Sequence, residues 1–274
     1  MLIVGAANIA LKVADIISED KEIALLLAFL DNLSPKSGPL PNQSLIDACF
    51  HIQSDKLSVE GKEDPRFIIP VVSALPRSLL VKHLPSFISA SDRVYKASLV
   101  RMSERLTRQA TVFRNDDLSE GEDETSASMT GMTLCEQLVF LHRLDFASVG
   151  LPQKRYLDAI QICLEMDDLF TDRVILSALE YVSQQFLQGE KLPLAYMRTI
   201  IQTVSRHETL HAWICSELLP RLLEGRVYED RRQWEGWMRC ARMLESTASV
   251  SSIAAIRLLP EEQLRRYRSK YPEQ

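Results

Sequence analysis

Seven of the twelve prolines in this 274-residue chain stand directly after a leucine: Pro41, Pro76, Pro85, Pro152, Pro193, Pro220 and Pro260. A proline in the first turn of a helix loses nothing, because the N–H at that position has no intrahelical partner. The residue before it is pushed out of the helical region and can bury its side chain as a staple. Repeated Leu-Pro steps therefore punctuate a chain of short helices. Pro152 to Pro193 and Pro220 to Pro260 lie 41 and 40 residues apart, which suits the ~40-residue helix pairs of HEAT-type stacks. Only 9 residues are glycine, about 3% where ~7% is usual. Leu, Ala, Glu, Arg and Gln fill the element interiors, and long Val/Ile/Thr/Tyr alternation is missing. The expected fold class is all-α: a HEAT-like stack of antiparallel helix pairs, either an α-solenoid or an irregular helical bundle.

Individual helices can be placed by their caps and stripes. Thr171 caps a helix whose inner stripe is Ile175, Ala178, Leu179, Val182 and Phe186, and Gly189 just past its end takes the left-handed cap. Pro193 opens the next helix, with the stripe Met197, Ile200, Ile201 and Val204. Pro260, Glu261 and Glu262 fall in the first turn of the last helix, where the carboxylates suit its dipole, and Arg265, Arg266, Arg268 and Lys270 follow toward its end. In the first half, helices are expected over residues 2–17, 20–32, 42–53, 66–74, 77–89 and 91–110, joined by turns such as SPKSGPLP and SVEGKEDP.

The stretch Asn115 to Thr133 packs six acids into ten residues and lacks apolar periodicity. Such a composition buries too little surface to offset the entropy of ordering. The expected organisation is thus a helical segment over residues 1–113, an acidic disordered loop over 114–133 and a second helical domain over 134–274. Ser119, ahead of Glu120 and Glu122, is a candidate phosphosite, where added charge would strengthen pairing with a basic partner. A plain solubilising linker is the simpler reading of the same residues.

Several function classes are disfavoured. A net charge of −5 argues against non-specific grip on nucleic acid as the main task, since that draws on a basic excess. The five cysteines (Cys49, Cys135, Cys163, Cys215 and Cys240) are odd in number and widely spaced, which reads as reduced, buried thiols in the cytosol or nucleus. The apolar N-terminus lacks a basic n-region and carries Lys12 and Asp15, so a first amphipathic helix is expected there and not a signal peptide. No phosphate-binding glycine loop or nucleophile elbow occurs in the sequence. His51, His83 and His142 read as helix-surface or satisfied, partly buried residues and not as ligands, and no cofactor is expected.

His207, Glu208 and His211 spell H-E-x-x-H, the zinc-protease pattern in which two histidines one turn apart hold the metal and the glutamate acts as base. Extension to the metzincin form would need glycine and histidine where Ile214 and Glu217 stand. The apolar stripe ending at Val204 also falls out of phase with Leu210, Ile214 and Leu218. A helix should therefore end near Arg206 and another start near Thr209, with the histidines flanking the turn. A zinc hydrolase is disfavoured, and an enzyme of any kind is not expected.

Two surfaces are candidates for recognition. Arg231, Arg232, Trp234, Trp237 and Arg239 gather guanidinium groups and indoles, the side chains that most often anchor protein interfaces and can also stack on RNA bases. Trp237 is expected in the core, with Met238 and Ala241. This leaves Arg231, Arg232, Trp234 and Arg239 as partner-binding candidates. Arg101, Arg105 and Arg108 share one helix face by their spacing and read first as a solvated row.

From Leu192 onward the chain carries a distinctive series: Met197, Arg198, Thr199, Ile201 and Gln202, then the WEGW-RC block from Trp234 to Cys240, then the terminal LLPEEQL. Quoted as they stand, these residues resemble the C-terminal domain of symplekin. The likeness is dense from about Leu151 and thin before Thr111. The resemblance implies a nuclear, non-catalytic scaffold of the machinery that cleaves and polyadenylates messenger-RNA precursors. It further implies binding to the endonuclease subunit of the cleavage and polyadenylation specificity factor and to its inactive paralogue, through their C-terminal domains, with the cleavage stimulation factor as a further contact. Phosphatase binding, a property of the family's N-terminal HEAT domain, is not carried over. The rival reading is an RNA-binding helical-repeat adaptor.

Overall fold

The computed structural model describes residues 2–16, 20–35, 38–55, 63–115, 131–246 and 255–271, with the side chains of 2–4, 6, 15–16, 20–22, 105–115 and 246 left aside. Every regular element among them is helical and no strand is formed. Contacts divide the chain into two compact units, residues 1–133 with 149–151, and residues 134–148 with 152–274.

In the first unit, α1 (Leu2–Ile16) packs on α2 (Asp20–Leu33) and α3 (Gln43–Asp55), and α4 (Arg77–Ala90) packs on α5 (Asp92–Asn115). The helix expected over 66–74 is two 3₁₀ turns, Pro65–Phe67 and Ile69–Ala74. Pro65 and Pro70 each open one of these turns, so the missing N–H of Pro70 breaks what would have been a single helix. The Asp64 carboxylate caps the first turn by accepting from the Arg66 N–H at 3.0 Å. Phe67, Ile68, Val71 and Val72 are wholly buried, and the pair of turns forms the plug against which the surrounding helices close.

Arg101 does not lie on a solvated face. It is buried on α5, where its guanidinium pairs with Asp31, donates to the Ser34 carbonyl at 2.8 Å and meets Glu104 at 3.2 Å, tying α5 to the end of α2. The side chains of Arg105 and Arg108 lie outside the described residues, as does Ser119 with most of the acidic stretch.

The second unit is a stack of two rows. Helices α6 (Leu134–Arg143) and α8 (Asp172–Leu187) pack together, and α8 continues onto α11 (Leu219–Glu224). Helix α7 (Gln153–Glu165) packs on α9 (Tyr196–Arg206), and α9 on α12 (Arg231–Ser246). Successive helices thus alternate between rows, the arrangement of stacked helix pairs. Buried side chains tie the rows together: the Tyr196 hydroxyl donates to the Leu179 carbonyl at 2.6 Å, and the Trp237 indole N–H donates to the Leu219 carbonyl at 3.1 Å.

The proline punctuation has mixed meaning. Pro76, Pro152 and Pro260 are N-caps, one residue earlier than the first-turn position, and Leu75, Leu151 and Leu259 before them are buried. Pro152 and Pro193 precede α7 and α9, neighbours in one row, so their spacing does measure a row step. Pro85 lies inside α4, and Pro220 lies inside a continuous rod made of α10 (His211–Trp213), a π turn at Ile214–Leu218, and α11. The Leu219 N–H reaches back five residues to Ile214, and this widened turn leaves room for the ring that follows.

Helix α8 ends as its sequence requires. Gly189 takes φ +96°, the Glu190 N–H bonds the Gln185 carbonyl and the Gly189 N–H bonds the Phe186 carbonyl, a Schellman closure. The same logic is displaced at the end of α11. Any Cβ on Gly225 would stand 2.2 Å from Phe186 Cε1, so glycine is needed there for space, and the left-handed residue is Arg226 at φ 59°. The last helix, α13 (Glu261–Lys270), carries the pairs Glu261–Arg265 and Glu262–Arg266 one turn apart.

Candidate functional site

The inner stripe of α9 is largely as its periodicity requires: Met197, Ile200 and Val204 are buried, while Ile201 is half exposed. The next helix in the row, α12, crosses α9 at Gly236, where an added Cβ would sit 2.6 Å from Met197 Cβ. This close approach makes the floor of an open groove of about 640 Å³. On the α9 side it is lined by Leu194, Met197, Arg198, Ile201 and Gln202; on the α12 side by Arg232, Gly236 and Arg239; Lys270 and Tyr271 close it at the end of α13. From Leu194, just ahead of α9, to Gln202 the wall spans nine residues, about 12 Å at helical rise.

Electrostatically the groove is lopsided. Among the described residues the guanidinium groups of Arg198, Arg232 and Arg239 make no ion pair, although all three are exposed. The acid at the rim, Glu235, is turned to Arg231 at 3.5 Å. Lys270 stands 5.9 Å from the Tyr271 ring centroid. Unpaired arginines thus surround an apolar floor, and Leu194 beside it is 43% exposed. Arginine's planar fork is suited to carboxylates.

Of the four sequence-derived partner candidates, Arg232 and Arg239 line this groove, and Arg231 stands beside it, fully solvated. Trp234 is corrected: it is 4% exposed, stacked on Trp237 at 5.1 Å and met edge-on by Tyr228, and so lies in the core with its neighbour. The i, i+3 spacing of the two indoles allowed one to face outward. The turn at Val227–Glu229 covers that side. Arg198 and Lys270 were missed as site residues because they arrive from separate elements. A usable signal existed: Arg198, Ile201 and Gln202 recur at helical spacing beside the inner stripe.

The H-E-x-x-H residues form a joint. Helix α9 ends at Arg206, and a 3₁₀ turn at Glu208–Leu210 leads into His211. The His207 imidazole meets Asp172 Oδ1 at 2.7 Å, while His211 Nε2 is 2.7 Å from the Val204 carbonyl, so each ring is committed to a different neighbour and the two share no helix face. The Thr209 hydroxyl also donates to Asp172, and this bond, helped by His207, holds the Asp172 carboxyl below its usual range against the opposing effect of burial. No group of three potential metal ligands is gathered among the described residues. Cys49, Cys163, Cys215 and Cys240 are buried and Cys135 is half-buried, all unbridged; burial pushes the Cys49 thiol up to about 12.

A second depression, about 300 Å³, lies between the end of α6, α8 and the loop before α9. Arg143 and Glu190 pair across its rim with two bonds of 2.7 and 2.8 Å. His142 lines it, 3% exposed, with both ring nitrogens unpartnered and Tyr196 packed edge-on at 5.7 Å. Burial lowers its pKa to about 4.

Fold and groove together define an all-helical stack whose second unit carries a basic groove between two neighbours of one row. The family model described as symplekin tight junction protein C terminal matches residues 64–271, and the chain belongs to that family. The match reaches well ahead of Thr111, farther than the residues quoted above carry the likeness. No solved structure matches the chain. No helix among the described residues is long and apolar enough to cross a membrane.

Proposed function

We propose that this chain is a non-catalytic scaffold subunit of the nuclear pre-mRNA 3′-end cleavage and polyadenylation machinery. In this reading it holds the cleavage endonuclease subunit and its inactive paralogue by their C-terminal domains, with the cleavage stimulation factor as a further contact. The observation that carries the reading is where the family-resembling residues fall. Thr199, Trp234, Trp237 and Cys240 are interior, whereas Arg198, Ile201, Gln202 and Arg239 line one groove. Residues of one series that converge from two helices onto an open, unpaired surface are suited to holding another chain. Rows of stacked helices add extended faces on which further chains can lie.

The RNA-adaptor reading has one observation in its favour, since three unpaired arginines also suit phosphates. The two indoles that would have stacked bases are buried, which leaves Tyr271 as the aromatic ring at the groove and reduces the platform that single-strand binding draws on. Co-expression of this chain with the C-terminal regions of the endonuclease subunit and its paralogue, followed by affinity capture through a tag on this chain, tests the proposal. Capture of both in fixed ratio is expected. Failure to retain either one, with RNA retained in its place, would sink it.

A further inference from the structure

We propose that the groove between α9 and α12 is the seat of an acidic, leucine-type peptide segment of a partner protein, held by carboxylates on Arg198, Arg232 and Arg239 and by aliphatic side chains on Met197 and Ile201. The inference deepens the scaffold reading and rests on it for the identity of the partner; the chemistry of the groove stands on its own geometry.

Three features carry it. The first is charge complementarity. The chain as a whole is acidic, at −5, yet here three guanidinium groups and Lys270 gather around one opening, and Glu235 is engaged by Arg231 outside it. The field within the groove is positive against an acidic background, so an acidic segment is drawn to this face and not to others. The second is the floor. Gly236 lets α12 approach α9 so closely that Met197 and the half-exposed Ile201 lie at the base, with Leu194 exposed at one end. A purely electrostatic site for phosphates would not need an apolar base. A peptide with aliphatic side chains between its acids would fill it, as helices do in hydrophobic grooves. The third is size: a wall of about 12 Å accepts about two helical turns, which is short enough for a linear segment.

The probe is a fluorescein-labelled 14-residue peptide of alternating Glu-Glu and Leu-Leu pairs, compared with a peptide in which every Glu is Gln and with a 12-nucleotide oligouridine. Each is titrated against the whole chain by fluorescence anisotropy. The Glu/Leu peptide is expected to bind at least about tenfold more tightly than its Gln counterpart and than the RNA. The triple variant R198E/R232E/R239E should abolish the difference. These three side chains are exposed and, among the described residues, unpaired, so the variant keeps its fold, which tryptophan fluorescence checks. Ile201→Asn provides an independent arm: it should weaken the Glu/Leu peptide severalfold while leaving any binding of oligouridine unchanged. Equal affinity for the Glu and Gln peptides, or tighter RNA binding through the same arginines, overturns the proposal.

The partner domains separate the two readings. If they bind the native chain but not the triple variant, both readings stand. If the triple variant still binds them, the groove is wrong and the scaffold reading survives. If the native chain does not bind them, the scaffold reading fails and the peptide titration alone judges the groove.

Discussion

Replacing His142 with leucine should reduce the acid sensitivity of the second unit. The imidazole is enclosed, burial lowers its pKa from 6.5 to about 4, and among the described residues no carboxylate reaches either nitrogen. Between pH 6.5 and 4 the unfolded chain therefore binds a proton that the folded chain does not. For a folded-state pKa below the unfolded value, stability is complete above pH 6.5 and is lost as the pH falls toward 4. With those two values, linkage gives a loss of about 2 kcal/mol between pH 7 and pH 5 from this residue alone. That is a large share of the roughly 5–15 kcal/mol that holds a typical domain. The assay is urea unfolding followed by tryptophan fluorescence at both pH values. All three tryptophans, Trp213, Trp234 and Trp237, belong to the same unit as His142. The native chain should lose about 2 kcal/mol more than His142→Leu over that interval. Carboxylates common to both proteins cancel in the difference. An equal loss in the two proteins would refute the assignment of a buried neutral imidazole.

Other consequences follow from single contacts. Arg101→Met leaves the Ser34 carbonyl and Asp31 without their cation and should cost about 2 kcal/mol, read as amide exchange in α2 and α5 roughly 30-fold faster; unchanged exchange would show that the buried arginine does not tie the two helices. Arg226→Gly should raise stability by about 1 kcal/mol by relieving a left-handed backbone that favours glycine. Gly225→Ala should lower it by about 1–3 kcal/mol, because the new methyl meets the Phe186 ring; thermal unfolding of the two variants moving in the same direction would contradict this division of labour.

What could be read from the sequence was what short-range chemistry decides. The bounds of α8, most of its stripe, the left-handed Gly189 and the break after Arg206 depend on a few neighbouring residues and stand where local rules put them, although Thr171 at the N-cap makes no side-chain bond and Phe186 is only half-buried. The same holds for the joint that splits the H-E-x-x-H histidines. The failures share a different cause. Arg101 sits at surface-like spacing, but its partner Asp31 is 70 positions away in sequence, and spacing on one helix says nothing of that. Pro220 looked like a helix start because a proline normally ends the preceding helix. Only the five-residue reach from Leu219 to Ile214 lets the rod pass through it. Trp234 was open to either side until Tyr228 closed over it. The groove was half legible: Arg232 and Arg239 lie in one arginine-rich segment, but Arg198 and Lys270 join them through the packing of α9, α12 and α13, and Gly236 gave no sign of its role until Met197 was seen against it.

The scaffold reading is tested most directly by sizing chromatography with light scattering on this chain mixed with the C-terminal regions of the endonuclease subunit and its inactive paralogue, run in parallel with R198E/R232E/R239E. The account predicts that the native chain elutes with both regions at the mass of a complex of fixed stoichiometry, and that the triple variant sheds at least one of them. Separate elution of the native chain from both regions would contradict the scaffold role.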